Sequence, residues 1–220
     1  MYTTSKIKAL LINRNLLTTL KNTLEFLRKE PRVEIHILDQ ESTYPPLLEF
    51  YKTITEEVHY AKNEGPYSAW DPKYRDLRKN YFIVADTDCM YDDVPDDWLD
   101  VMLHAIEQPD AYYRDRKVGF SLEIEDLPNT DQGRKMHSIE SRYWENKIDL
   151  GWEAAIDTTF ALYRANTSFK YDGIRLDRPY CIQHAPWYID DSSIPEEWQY
   201  YLDHAGYVST WKRRVEENKT

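Results

Sequence analysis

Two carboxylates one residue apart, Asp86-Thr87-Asp88, stand at the end of an apolar run, Tyr81-Phe82-Ile83-Val84-Ala85. In open α/β sheets, ligands bind beyond the carboxyl ends of the strands. Hard oxygen ligands delivered there suit Mg²⁺ or Mn²⁺ bridging a diphosphate. A bare Asp-x-Asp is more often a solvated turn with helix-capping aspartates; the strand feeding this one favours the metal. Arg75 and Arg78 lie in the basic stretch 73–79. They are open to a phosphate contact or to a solvated helix face. Tyr67, Trp70, Trp144, Trp152, Trp187 and Tyr188 could pack on the C–H face of a sugar, although core packing suits any one of them as well. The acids of residues 122–126 could face the hydroxyls of a bound molecule or solubilise an edge strand. Other chemistries find no support. No Gly-rich phosphate loop and no nucleophile elbow occur, and the chain has only six glycines. Cys89 has no local base to activate it. No His-x-x-x-His pair is present, and His59, His104 and His137 lack a context of this kind.

The elements that must position these groups follow from periodicity. Residues 7–12 form a short apolar run, a buried first strand. Leu16, Leu17, Leu20, Leu24 and Leu27 recur at helical spacing, and Pro31 closes that helix. Val33, Ile35 and Ile37 alternate with polar neighbours, so a second strand runs to Asp39. Residues 47–54 read as a short helix, 58–61 as a third strand and 81–85 as a fourth. Then follow a helix over 96–108, a strand over 118–124, a helix over 134–147, a strand over 158–163 and a last helix over 195–205. This order predicts an α/β fold. The 220 residues fit one domain, and 41% hydrophobic content gives it a core. With 28 Lys and Arg against 39 Asp and Glu, the net charge is −11. That excludes a basic nucleic-acid groove. Residues 9–12 are too short a run to span a membrane. Two cysteines, Cys89 and Cys181, suggest a reducing compartment, and we expect a cytoplasmic protein. The charged end, 212–220, reads as frayed.

The order of elements resembles a GT-A-fold glycosyltransferase of the inverting, family-two-like kind, over roughly residues 6 to 190. Ile37-Leu38-Asp39-Gln40-Glu41-Ser42 resembles the segment that places an acidic residue near the uridine. Asn63-Glu64-Gly65-Pro66 resembles the Asn-x-Gly turn before the helix under the nucleotide. Ala85-Asp86-Thr87-Asp88 matches the family's metal-binding motif, also after the fourth strand. The resemblance implies a GT-A-type (nucleotide-diphospho-sugar transferase) central mixed, mostly parallel sheet flanked by helices. It implies a nucleotide-binding half over about 1–90 and an acceptor half over about 91–220, in a single domain that could be one module of a longer protein.

Inverting members carry a general base about seventy residues after the metal motif. Asp157 stands 69 residues after Asp88, with Glu153 as its rival. Many relatives have Glu-Asp where this chain has Ile156-Asp157. Capping a turn or pairing with Arg164 is the structural alternative for Asp157. A late histidine, His184 in His-Ala-Pro-Trp-Tyr, would be a third metal ligand, or else a hydrogen-bonded surface residue. Trp152 and Trp187 flank these segments and are the preferred sugar contacts. The implied cofactor is Mn²⁺ or Mg²⁺. The implied partners are a nucleotide sugar, most readily a UDP-sugar, and a glycan acceptor. The implied activity is hexosyl or deoxyhexosyl transfer. Two rivals remain: a nucleotidyltransferase that makes sugar nucleotides, and a non-catalytic carbohydrate-binding domain. The first would normally carry a Gly-rich N-terminal loop, which Leu11-Ile12-Asn13-Arg14-Asn15 lacks.

Overall fold

The computed structural model describes residues 6–108 and 116–205; the charged end 212–220 lies outside them. The first half alternates strand and helix as the periodicity requires. β1 (Ile7–Asn13) leads into α1 (Thr18–Arg28), β2 (Val33–Gln40), α2 (Pro45–Tyr51) and β3 (Glu57–Ala61). α2 begins at two prolines, whose fixed φ suits a first helical turn. A 3₁₀ segment, Pro72–Arg78, precedes β4 (Phe82–Asp86), β5 (Cys89–Met90) and α3 (Trp98–Ile106).

The second half departs from expectation in three places. The strand expected over 118–124 is split into β6 (Lys117–Gly119) and β7 (Ser121–Leu122), which pair in different sheets. The helix expected over 134–147 is α4 (Asp131–Glu140), started one turn earlier because Thr130 caps it by accepting from the Gly133 N–H at 3.0 Å. It passes through a 3₁₀ turn into β8 (Lys147–Ile148) and β9 (Gly151–Ala155). β10 (Phe160–Tyr163), β11 (Asp172–Leu176), β12 (Cys181–His184) and α5 (Glu196–His204) complete the order. β9 and β11 carry little alternation, so the sequence did not show them.

The fold is α/β, with a nine-stranded mixed sheet in the order β3-β2-β1-β4-β10-β6-β11-β9-β8 and a three-stranded sheet β5-β12-β7. The parallel character is concentrated in β3, β2, β1 and β4; from β10 onward antiparallel pairs predominate. Register aligns the carboxyl ends where it matters. Ile12 lies opposite Asp86, and Asn13 opposite Asp39.

One sheet face meets α1 and α3 through an aromatic cluster. Phe160 is fully buried there and packs against Phe26, Tyr91, Trp98 and Phe120, with centroids 4.7 to 6.3 Å away. The other face buries Leu10, Ile12, Leu38, Phe82 and Tyr163. α1 has no side-chain cap of its own. Glu197 of α5 supplies one, accepting from the N–H groups of Leu17 (2.7 Å) and Thr18 (3.0 Å). A carboxylate at this position also suits the positive end of the helix dipole. Arg175 and Glu140, both buried, form an ion pair that ties β11 to α4. Among the described residues no helix is long and apolar enough to cross a membrane.

Phe160 follows directly on residues 157–159, so its packing also anchors that segment. Replacing it by alanine should cost about 3–5 kcal/mol, the range for a buried aromatic. Urea unfolding of Phe160→Ala measures this; a loss below 1 kcal/mol would show the cluster to be loosely packed.

Candidate active site at the carboxyl end of β4

A buried hydrogen-bond chain joins the ends of β1, β2 and β4. The Thr87 hydroxyl donates to Asn13 Oδ1 at 2.6 Å, and Asn13 Nδ2 donates to the Tyr51 hydroxyl at 2.7 Å. The Tyr51 hydroxyl donates to Asp39 Oδ2 at 2.9 Å, while Asp39 Oδ1 accepts from the Ser42 N–H at 2.9 Å. Burial, with the Asp39 charge beside it, raises the Tyr51 pKa far above the tyrosine range, so its hydroxyl stays a neutral donor. Thr87 is thus fixed inward at the bend that follows β4, while its two acidic neighbours engage other groups.

Three chain segments meet at those acids. The Asp86 N–H donates to the Thr158 carbonyl at 2.8 Å, and the Thr158 hydroxyl donates to Asp86 Oδ2 at 2.6 Å. This brings Asp157 alongside. Its Oδ1 accepts from the Thr159 N–H at 2.9 Å and from the Thr159 hydroxyl, and the residue remains exposed. From the other side, β12 pairs with β5 so that His184 lies opposite Cys89. His184 Nε2 sits 3.1 Å from Asp88 Oδ2, and the Ala185 N–H donates to the Asp88 carbonyl at 2.9 Å. The imidazole packs on Trp187 at 4.8 Å between centroids.

The electrostatics are those of crowded carboxylates. Burial, then the Asp88 and Asp157 charges, pushes the Asp86 carboxyl well above its ordinary value. Burial opposes ionisation of Asp88 too, but the charge and hydrogen bond of His184 outweigh it and hold Asp88 low. Burial likewise opposes a charged His184, and the carboxylates, Asp88 foremost, overcome it and raise the imidazole. Burial and Asp88 raise the Cys89 thiol, which removes it as a nucleophile.

The donor set is of a kind that fits a divalent cation. Three acidic side chains interact here with one imidazole, whose Nε2 faces Asp88. The ligand geometry is not closed, however. Asp86 is turned to Thr158, and its carboxylate does not come within 4.8 Å of both the Asp88 carboxylate and the His184 imidazole nitrogen.

The other expected contacts fall elsewhere. Asp39 is 1% exposed, with both oxygens engaged, so it supports the crevice from beneath and does not line it. Asn63 is exposed and accepts from the Gly65 N–H at 3.1 Å, shaping a turn in which Gly65 takes φ +79°. Arg78 precedes β4 and donates to the Trp70 carbonyl at 3.3 Å. It lies at the amino end of β4, roughly 13 Å of strand below Asp86, too far for a phosphate held there. Trp152 and Glu153 are on β9, four strand spacings or about 19 Å across the sheet from β4. Trp152 packs on Trp144 and donates to Asp177, and Glu153 pairs with Arg116 at 2.5 Å. Both residues therefore lie away from Asp86 and Asp88. Trp187, by contrast, reaches it.

Two features escaped the sequence reading. A cleft of about 430 Å³ opens beside the three-stranded sheet, lined by Met90, Asp92, Glu123, Asp126, Arg178 and Gln183 among others. Lys117, buried at the first position of β6, donates to the Asp157 carbonyl and the Tyr163 hydroxyl, both at 3.0 Å. Burial lowers its pKa to about 7, against the pull of the Asp157 carboxylate.

No family model matches the chain, and no curated protein matches it. Among solved structures it is similar to the 4-diphosphocytidyl-2C-methyl-D-erythritol synthase of Anaerococcus prevotii DSM 20548. The identity is 10% and the TM-score 0.36, over 66% of this chain and 78% of that one.

Lys117 generates a pH prediction. A lysine whose folded pKa lies below its unfolded value binds fewer protons when folded, so its contribution to stability improves as pH rises from about 7 to the unfolded value near 10.4. Lys117→Met should therefore be stabilising relative to wild type below pH 7, with the advantage shrinking as pH increases. Denaturant unfolding of both proteins across that window checks it; a constant difference would refute the shift.

Proposed function

We propose that this protein is a metal-dependent inverting glycosyltransferase that moves a sugar from a nucleotide sugar, most readily a UDP-sugar, to a hydroxyl of a glycan acceptor. The observation that carries this reading is the meeting of Asp86, Asp88, Asp157 and His184, from three separate segments, at the carboxyl end of one buried strand. Asp88 and His184, with Asp86, would hold Mn²⁺ or Mg²⁺. When bound, such an ion neutralises the charge that builds on the departing nucleoside diphosphate.

The chain's own groups supply the rest. Asp157 is exposed and oriented by Thr159, as a general base must be. It takes the proton of the acceptor hydroxyl as that oxygen bonds to the anomeric carbon. The bond from that carbon to the diphosphate oxygen breaks on the opposite face, so the configuration inverts. Lys117 holds the Asp157 backbone from below. The donor occupies residues up to about 90 and the acceptor the remainder, with the cleft beside Met90 and Gln183 available to it.

The similar solved structure is named as a synthase of a diphosphocytidyl compound, so a nucleotidyltransferase is the second reading. Against it stands the corner after β1. That corner contains no glycine, and Glu197 occupies the α1 N-terminus, where a triphosphate would otherwise find free N–H groups.

One assay pair separates the readings. Purified protein with Mn²⁺ is given UDP-sugars and glycan acceptors, and separately nucleoside triphosphates with sugar phosphates. Sugar transfer supports the proposal. Pyrophosphate release without sugar transfer would replace it with the second reading, and glycan binding with neither reaction would leave a carbohydrate-binding domain. Asp157→Asn should reduce transfer by about 10²–10⁴-fold, the usual worth of a general base, with nucleotide affinity nearly intact. Equal loss of both would remove Asp157 from that role. Asp88→Ala should abolish the Mn²⁺ dependence of donor binding in a calorimetric titration; an unchanged metal titration would place the ion elsewhere.

A further inference from the structure

We propose a second metal site, independent of the glycosyltransferase reading: His36, Glu57 and His59 form a three-ligand Zn²⁺ site at the β3 edge of the large sheet. Among the described residues, these are the three His, Cys, Asp or Glu side chains whose ligand atoms all lie within 4.8 Å of one another.

Strand register brings them together. His36 is on β2, and Glu57 and His59 are on β3. The two strands pair in parallel with His36 opposite Glu57 and Leu38 opposite His59. Residues two apart on a strand share a face. The three side chains therefore leave one face of the sheet side by side.

The spacing is that of a coordination sphere. His36 Nδ1 is 3.1 Å from His59 Nε2 and 3.4 Å from Glu57 Oε2, and His59 Nε2 is 3.6 Å from Glu57 Oε1. Tetrahedral Zn²⁺ with ligands at about 2.0–2.1 Å separates its ligand atoms by about 3.3 Å, the middle of this range. Two imidazole nitrogens and a carboxylate oxygen are a zinc donor set.

The surroundings are built as such a site requires. His36 is 3% exposed, and its Nε2 lies 2.9 Å from Glu34 Oε1. That contact holds the proton on Nε2 and leaves Nδ1 as the metal-binding nitrogen, the usual arrangement behind a ligating histidine. Lys8 Nζ lies 3.4 Å from the same Glu34 oxygen. His59 is fixed edge-on to Tyr74 at 5.5 Å. Beyond it opens a cleft of about 410 Å³, lined by His59, Tyr60, Lys73, Tyr74 and Leu77 among others. Three protein ligands leave a fourth position for water or for a small donor molecule in that cleft. The ion would also pin the edge strand β3 to β2.

The site is separate from the carboxylates at β4. His36 is three residues short of Asp39, roughly 10 Å down the strand, and two strand spacings across the sheet. Metal binding at the two places can therefore be dissected by substitution.

The test is a ZnCl₂ titration of chelator-stripped full-length protein, followed by calorimetry and thermal unfolding. Wild type should bind zinc and unfold at a higher temperature in its presence. Glu57→Gln and His59→Gln should lose that binding, and Glu34→Gln should weaken it by about ten- to a hundredfold. Asp88→Ala should leave it intact. Co²⁺ in place of Zn²⁺ should give the strong visible absorption of a four-coordinate ion, absent from His59→Gln. Glu57 is 64% exposed on its side chain, so Glu57→Gln keeps the fold, and circular dichroism verifies this. Absence of zinc binding, binding unchanged in Glu57→Gln and His59→Gln, or binding abolished by Asp88→Ala would each overturn the site. In those cases the His36–His59 contact is an N–H···N hydrogen bond and nothing more.

Discussion

The crevice depends on one buried chain of hydrogen bonds, Thr87 to Asn13 to Tyr51 to Asp39. An unpaired buried polar group costs about 1–3 kcal/mol, so each member holds its neighbour in place. The chain locks the carboxyl ends of three strands to α2 and fixes the residue between Asp86 and Asp88. Thr87 is held inward, while Asp86 turns to Thr158 and Asp88 to His184. Asp39 is buried and fully used in this network, and the carboxylates available for chemistry sit two strands away, at the end of β4.

At the mouth of the crevice the structure sustains a conflict. Asp86, Asp88 and Asp157 repel, and burial makes the repulsion stronger. His184 relieves Asp88, Thr158 gives Asp86 a donor, and Thr159 does the same for Asp157. Such an arrangement is costly for stability and favourable for cation binding. The net charge of −11 thus has a local meaning, since part of it is concentrated in this one crevice.

The two ends of the molecule's N-terminal half divide the labour between carboxylates and imidazoles. Hard oxygen donors dominate beyond β4, which suits Mg²⁺ or Mn²⁺. Two imidazoles dominate at the β3 edge, which suits Zn²⁺. Meanwhile the N-terminus of α1, an obvious place for an anion, is already taken by Glu197 from the far end of the chain. That single contact spans nearly the whole sequence and closes the first βα corner.

The chain by itself determined its α/β class and the strand that carries Asp86 and Asp88. A leucine repeat, an alternating strand and an apolar run are local properties, and they survive folding unchanged. It also pointed to Asp157 and His184, which the structure does bring to Asp86 and Asp88. It misplaced Arg78, Trp152 and Glu153, because nearness in sequence to a motif does not say which end of a strand, or which strand, a residue will occupy. It passed over His36 and His59, because no spacing rule joins histidines 23 residues apart. Only the parallel register of β2 against β3 decides that their nitrogens meet. That register is set by burial of Ile37 and Leu38 and by the core against which the strands pack, and these are properties of the tertiary structure alone.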